Sequence, residues 1–223
     1  MKSTQLRNTV LLTLVVVALA SSLRALWPWP TGDWKGLALN SGTEMGGAAV
    51  TYLLLGLFIG RRQRREAERA DLIAQMGSIE RSLAIGAVEE LRRHGWLTDG
   101  SLRGADLTGA NLQGADLTET NLQGIDLRLA DLRGADLSGA NLQGADLRLA
   151  KLQDAILADA DLRGADLRWA KLQGASLYRA DLQGAAFDEH TTSPDGTAWT
   201  PGTDMARFTN PDHPDFWSPL FAR

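Results

Sequence analysis

The repeat region of this sequence predicts an all-β repeat solenoid, in which the chain turns corners and stacks on itself. From Leu102 to Leu182 every fifth residue is leucine. Such a period forms no single apolar face on an α-helix, and on a flat strand it sends alternate leucines to opposite faces. It fits a short extended piece, with Ala and Leu two residues apart pointing the same way, followed by a turn. A strict short period indicates that one unit stacks on the next.

The turns that this fold requires are visible two residues after most of the leucines. Glycine recurs there, where a positive φ costs it little. An Asp or Asn precedes most leucines, and both residue types bond the nearby backbone and tolerate bends. The recurring glycines are Gly104, Gly114, Gly124, Gly134, Gly144, Gly164, Gly174 and Gly184.

Repeats such as Ala105-Asp106-Leu107 and Ala110-Asn111-Leu112 give the region Leu102–Phe187 a strong resemblance to the pentapeptide-repeat family, whose consensus is A(D/N)LXX. The resemblance implies a right-handed quadrilateral parallel β-helix with one quintet on each side and twenty residues in each coil. We place this domain at residues 98–189. Its inward leucines form the core, stabilised by roughly 1.5–3 kcal/mol per buried side chain, and the alanines keep that core narrow.

The first 65 residues differ in composition and predict a two-helix transmembrane hairpin, with spans at about residues 9–27 and 44–60. Thr9–Leu23 and Met45–Gly60 carry no charge, and each segment approaches the ~17–25 residues that cross a bilayer. The basic cluster that follows the second span indicates that both ends face the cytoplasm. That cluster also offers charges to lipid headgroups, and consists of Arg61, Arg62, Arg64 and Arg65.

An alternative interpretation of the first segment is a cleaved signal peptide, with Ala18-Leu19-Ala20 as the cleavage motif. In that case a single anchor would remain, and the arginine cluster would still hold the repeat domain inside. Under either interpretation we expect a protein of the inner cell membrane. The hairpin interpretation makes it multi-pass, with both termini in the cytoplasm.

Residues 66–97 predict a connector α-helix that covers the first coil. Leu72, Met76, Ile79 and Leu83 follow helical spacing, and Gly95 provides a stop signal. A self-associating stalk is the alternative, but four apolar positions are fewer than a coiled coil needs. Residues 190–223 are rich in Pro, Thr and aromatic residues. We expect this tail to cap the last coil, because a solenoid end exposes apolar side chains and unpaired edges.

Composition excludes several kinds of site. The chain has no cysteine, and its three histidines, His94, His190 and His213, have no metal-binding spacing. We therefore predict no catalytic residue, no cofactor and no metal. The net charge of −4 is mild, and no nucleic-acid partner is expected.

One group of outward residues departs from the repeat pattern. Leu129, Leu149 and Trp169 occupy the position where most repeats have glycine, and they are twenty residues apart. If twenty residues make one coil, they form an apolar stripe on its outside. Aligned exposed apolar residues are typical of an interaction site or of a covered seam. The sequence leaves both occupants open, the protein's own tail or helix and a separate partner.

These features together predict a non-catalytic, membrane-anchored scaffold that binds an unknown protein partner in the cytoplasm. Some pentapeptide-repeat proteins resemble duplex DNA and bind gyrase, so regulation of a DNA-processing enzyme is an alternative. Balanced charge on the repeat argues against it. A subunit of a small membrane channel is a further alternative, although the apolar segments lack a row of ionisable residues. The oligomeric state stays open.

Overall fold

The computed structural model describes the backbone of residues 34–219 and the side chains of residues 54–219. Within this part of the chain lie α1 (Trp34–Met76), α2 (Arg81–Arg93) and the single turn α3 (Ala206–Thr209). The chain divides into two compact units at Ile59 and Gly60, and the second unit contains the whole repeat region. Between α2 and α3 the backbone forms isolated β-bridges, and no longer strand is present among residues 34–219.

The bridges define a four-sided coil. From Asp106 to Ala186 they are parallel and join residues twenty apart, as Asp106 joins Asp126 and Asp126 joins Asp146. Four columns of such bridges run through the domain, so each coil has one side per quintet, as the resemblance implies. The four columns begin at Asp106, Asn111, Asp116 and Asn121.

Each side is too short to form a strand, because only three residues separate one turn from the next. Those residues still make regular bonds to neighbouring coils. The Asp126 N–H donates to the Ala105 carbonyl oxygen at 2.9 Å, and the Leu127 N–H donates to that of Asp146 at 2.8 Å. The prediction of an all-β fold therefore holds in the pattern of its hydrogen bonds, while the unit of pairing is a single bridge.

The corners are tight turns closed by a hydrogen bond from each Ala to the Leu three residues before it. The Ala110 N–H, for example, donates to the Leu107 carbonyl oxygen at 3.0 Å. Gly109, the third residue of this turn, has φ +71°. A positive φ at that position is the signature of a type II turn, which favours glycine. The glycines of the sequence pattern thus mark the corners of the coil.

The core consists of the inward leucines and alanines. The inward leucines, at every fifth position from Leu102 to Leu177, are at most 2% exposed. Two departures from the small alanine, Thr120 and Ile125, are also fully buried. The Thr120 hydroxyl donates to the Thr118 carbonyl oxygen at 3.4 Å, so the coil accepts this polar group without leaving it unpaired.

The prediction of one connector helix is wrong. The helical stretch is broken at residues 77–80, which separate α1 from α2. Met76 is buried, but Ile79 is 82% exposed and does not share its face. The Ser78 carbonyl oxygen accepts a hydrogen bond at 2.9 Å from the N–H of Asn111, in the first coil. The Ser78 carbonyl group thus pairs with the open backbone edge of the first coil and not with an N–H of a continuous helix.

The N-terminal end of the coil is covered by α2 and the segment after it. The buried face of α2 consists of Ala84, Ala87, Val88 and Leu91. Leu97 is buried beside this face, and its carbonyl oxygen accepts the Asn121 N–H at 2.9 Å. The cap therefore supplies both apolar contacts and the carbonyl groups that a preceding coil would offer.

The C-terminal end is covered by the segment that follows Phe187. Thr192 bridges to Lys171 and adds a further side to the coil. Phe208 is 2% exposed against the last layer of the core, and Trp217 packs beside it. The Arg179 N–H donates to the Thr209 carbonyl oxygen at 2.7 Å, so the tail also satisfies part of the open backbone edge.

The prediction of a membrane hairpin is not supported by the described residues. The first predicted span, residues 9–27, lies outside them. The second, residues 44–60, falls within α1. No helix in the described part of the chain has both the length and the apolar character of a membrane span.

The buried leucines predict a sharp difference between two neighbouring positions. Leu142→Asp places an unpaired carboxylate in the core, so we expect the coil to unfold. Asn141→Ser, one residue away on the outside, should change the free energy of unfolding by no more than about 0.5 kcal/mol. Thermal melts of the full chain followed by circular dichroism test both. Equal effects of the two substitutions would contradict this assignment of inside and outside.

Candidate functional site

The apolar column is the row formed by Leu129, Leu149 and Trp169 on the outside of the coil. Each of these residues occupies the corner two positions after a core leucine. Their exposed fractions are 56%, 47% and 48%. Stacked strands are ~4.8 Å apart, so the three side chains follow one another directly along the coil axis. The structure therefore brings together the three residues that the sequence pattern predicts to be aligned.

A shallow groove of about 410 Å³ runs along this column. The apolar column forms one part of its lining, and three arginines form another, Arg128, Arg148 and Arg168. Thr108 and Asp188 complete the lining. We refer to this feature as the groove. It combines an apolar surface with cationic side chains.

The backbone at the apolar column is held in a conformation that glycine would adopt more easily. Leu129, Leu149 and Trp169 have φ values of 60°, 62° and 63°. For L-residues with a Cβ, the left-handed region costs roughly 1–2 kcal/mol per residue. Strain of this kind is often found at functional sites. The three large side chains are therefore kept at some cost to the stability of the coil.

The arginines of the groove belong to a charge ladder in which acids and bases alternate. The Arg128 guanidinium donates to both carboxylate oxygens of Asp126, and its Nε lies 3.7 Å from Asp146 of the next coil. Arg148 repeats this arrangement with Asp146 and Asp166. The ladder consists of Asp126, Arg128, Asp146, Arg148, Asp166 and Arg168.

The ladder ends at Arg168. The position twenty residues after Asp166 is Ala186, so no carboxylate of this column follows. Arg168 keeps its bond to Asp166 at 2.5 Å, and Asp188 lies near enough to help raise its pKa. The largest cause of that raised pKa is the hydrogen bond to Asp166.

Hydrogen bonds from arginine lower the pKa of several aspartates of the coil. Arg128 does this for Asp126 and Arg168 for Asp166, in each case as the largest cause. The neighbouring side of the coil repeats the effect, because the Arg133 guanidinium holds the pKa of Asp131 below its usual value of 3.8. These carboxylates are therefore ionised at neutral pH and well paired.

The tail reaches the groove at one end. The His190 ring stacks on Trp169, with ring centroids 3.5 Å apart. The Trp169 backbone N–H donates to the Asp188 carboxylate at 3.0 Å. Leu129 and Leu149 are not part of these contacts. The protein's own tail therefore covers only Trp169, the last of the three residues of the apolar column.

Two residues at this site were not predicted from the sequence, Asp188 in the groove lining and His190, whose ring stacks on Trp169. Asp188 lies twenty residues after Arg168, so continuation of the twenty-residue register would have placed it in the arginine column. His190 could not be placed in this way, because the register changes there. The bridge between Lys171 and Thr192 spans twenty-one residues instead of twenty.

A family model described as pentapeptide repeats matches this chain over residues 96–134, 130–168 and 160–189, with eight copies. The chain belongs to the pentapeptide-repeat family. Proteins of this family form right-handed β-helices. The match coincides with the coil and includes the whole apolar column. No protein of curated function matches the chain.

Solved structures of pentapeptide-repeat proteins are similar to parts of this chain. One from the cyanobacterium Cyanothece 51142 has 38% identity and a TM-score of 0.40, and the match covers 40% of this chain and 60% of that one. One from Nostoc Pcc 7120 has 35% identity and a TM-score of 0.28, covering 55% and 90%. One from the thylakoid lumen of Arabidopsis thaliana has 25% identity and a TM-score of 0.21, covering 48% and 85%.

The basic cluster predicted to contact lipid headgroups lies on α1, outside the pentapeptide-repeat coil. Arg61, Arg62, Arg64 and Arg65 are all exposed. Arg62 donates to Glu66 at 2.9 Å, one helical turn later. Exposed pairs of this kind contribute little to stability. The cluster therefore presents a dense positive charge to its surroundings.

The paired aspartates of the pentapeptide-repeat coil predict how it responds to acid. A carboxyl group whose pKa is lowered on folding stabilises the protein above its unfolded pKa, and this contribution is lost as the pH falls through the lower folded value. We therefore expect the full chain to lose stability below about pH 4. The Asp131→Asn variant should be less stable than the wild type at pH 7, and it should lose less stability than the wild type when the pH is lowered.

Thermal melts across this pH range provide the measurement, with Asn141→Ser as a matched control. That control removes no carboxyl group, so its melting temperature should fall with pH as the wild type does. An identical acid dependence in Asp131→Asn would show that its pairing with Arg133 does not stabilise the coil.

Proposed function

We propose that this protein is a non-catalytic, membrane-anchored scaffold that binds a protein partner in the cytoplasm through the groove. The observation that carries the proposal is the apolar column, which is exposed, aligned and held at positive φ. Leu129 and Leu149 are large exposed side chains at corners where glycine fits better, and neither belongs to the core. Binding of a partner gives these three side chains a role.

The interior of the coil supports a role in binding rather than in catalysis. Leu and Ala side chains fill it from one end to the other, and most are fully buried. The polar groups of the outer surface are arranged in repeated columns, and Asp126, Asp131, Asp146, Asp161 and Asp166 are each paired with an arginine. Such repetition builds a rigid and soluble surface.

The charge ladder argues against the alternative of DNA mimicry. A protein that imitates duplex DNA needs acidic groups without nearby compensation, because the phosphate backbone is uniformly negative. Here Asp126, Asp146 and Asp166 each bind an arginine of the same coil. The column that bears most of the acids on this face is therefore largely neutralised.

The proposed membrane anchor is supported by the N-terminal sequence. Residues 9–23 and 45–60 carry no charge, and the basic cluster follows at once. Within α1, four large apolar residues are exposed, Leu54, Leu55, Leu57 and Phe58. Exposed apolar side chains at successive positions of a helix favour a lipid environment over water. The basic cluster would then lie at the cytoplasmic headgroups.

The anchor can be tested by its topology. We expect a periplasmic reporter fused after Arg223, in a bacterial host, to be inactive, and a cytoplasmic reporter at the same place to be active. The physical reason is that the basic cluster resists translocation. An active periplasmic reporter would refute the proposed orientation. The intact mass of the purified protein separates the hairpin from a signal peptide, because cleavage after Ala20 removes the first apolar segment.

The partner surface can be tested by the triple substitution of Leu129, Leu149 and Trp169 with Ser. None of the three belongs to the core, so the coil should stay folded and its melt should be nearly unchanged. Partners captured from solubilised membranes by the wild type should be lost. As a matched control, Glu119→Ser and Asp159→Ser change the same turn position on another corner and should keep those partners. Retention of all partners by the triple variant would refute the groove as the binding surface.

A further inference from the structure

We propose that the groove binds an acidic amphipathic α-helix of the partner protein, laid along the apolar column. This inference rests on the proposed function and specifies the partner's chemistry. It follows from three properties of the groove, namely the spacing of its apolar groups, the arginine N–H donors in its lining and the shape of its ends.

The spacing of the apolar column matches a helix better than an extended peptide. The coils repeat every ~4.8 Å, so the three rungs from Leu129 to Trp169 span about 10 Å. A helix advances about 5.4 Å per turn, and three successive apolar side chains on one face span about 11 Å. An extended segment presents one side chain per two residues, about 6.6 Å, and spans about 13 Å. A helix therefore keeps its contacts with all three rungs.

The groove lining presents arginine N–H donors, which favour an acidic partner. Its lining contains three arginines and one aspartate, Asp188. The aspartates of the ladder do not line it. Each arginine bonds its aspartate through Nε and one terminal nitrogen. Within the described part of the chain the other terminal nitrogen makes no hydrogen bond, so it is available to a partner carboxylate.

The two ends of the groove differ. Beyond Trp169, the His190 ring and the Asp188 carboxylate close it. At the other end the corresponding corner is Gly109, and a Cβ built there would meet nothing within 4 Å. The groove is thus open toward the first coil. A bound helix therefore meets no obstruction at the Gly109 corner itself.

The strained corners allow a test that separates binding from folding. Leu129→Gly with Leu149→Gly removes two apolar rungs and relieves the positive φ, so the melting temperature should not fall. The matched control is Glu119→Gly with Asp159→Gly, whose φ values are 58° and 57° at the same turn position of another corner. Both pairs change the backbone in the same way, and only the first pair changes the groove.

The probe is a synthetic helical peptide of about four turns, with one leucine per turn on one face and glutamates flanking it. Its binding to the full-length protein is measured by fluorescence anisotropy of a label on the peptide. A second peptide has lysine in place of each glutamate. A third keeps the leucines and glutamates but has a proline at one central position, which breaks the helix. We expect the glutamate peptide to bind at least tenfold more tightly than either of the others. We also expect the groove Gly pair, but not the control pair, to weaken it at least tenfold.

Three outcomes would overturn the inference. Equal binding of the glutamate and lysine peptides would refute the role of charge, and equal binding of the proline peptide would refute the helix. Failure of the glutamate peptide to bind would refute the inference as a whole. If membrane partners still depend on the apolar column while the glutamate peptide fails, the proposed function stands and only the partner's chemistry is wrong. Loss of that dependence refutes the function itself.

Discussion

The rest of the structure depends on the coincidence of two periods, the five-residue spacing of leucine and the twenty-residue spacing of the backbone bridges. Leucine faces inward once per side, and four sides return the chain to its starting direction. The hydrogen bonds between coils then form at every side, as between Leu127 and Asp146. Because the interior admits only leucine, alanine and similarly compact side chains, the outer residues become free to vary. Every column on the surface, including the charge ladder, inherits its alignment from this core.

Much of this architecture can be predicted from the sequence, because a strict repeat transmits local information over long distances. The corners follow from glycine, and the apolar column follows from the twenty-residue register once the family is recognised. The break at residues 77–80 could not be predicted in the same way. Helical spacing favours a continuous helix there, whereas the structure uses the Ser78 carbonyl group to satisfy an edge of the coil. Tertiary pairing of that kind leaves no periodic signal.

The candidate site shows the same division between repeated and unrepeated residues. Leu129 and Leu149 could be placed because they lie in exact register. The stacking of His190 on Trp169 could not, because it depends on the path of the tail after the register has changed. The backbone strain at the apolar column could be predicted in part. The sequence identifies the position as one that suits glycine, and the structure shows that leucine and tryptophan adopt the same positive φ there.

The single extra residue before Thr192 has a consequence for the length of the coil. Up to Lys171 every bridge spans twenty residues, and the next one along that column spans twenty-one. After this shift, a leucine at a later five-residue position would no longer face the core. The end of the coil is therefore set by a local change of register and not by the total number of quintets. The segments 126–130 and 146–150 are identical, Asp-Leu-Arg-Leu-Ala. Duplication of a twenty-residue coil that contains this segment would lengthen the apolar column by one rung while leaving both ends intact. The length of such a surface can thus change by gene duplication in units of a whole coil, without any change in the segments that cap the two ends of the coil.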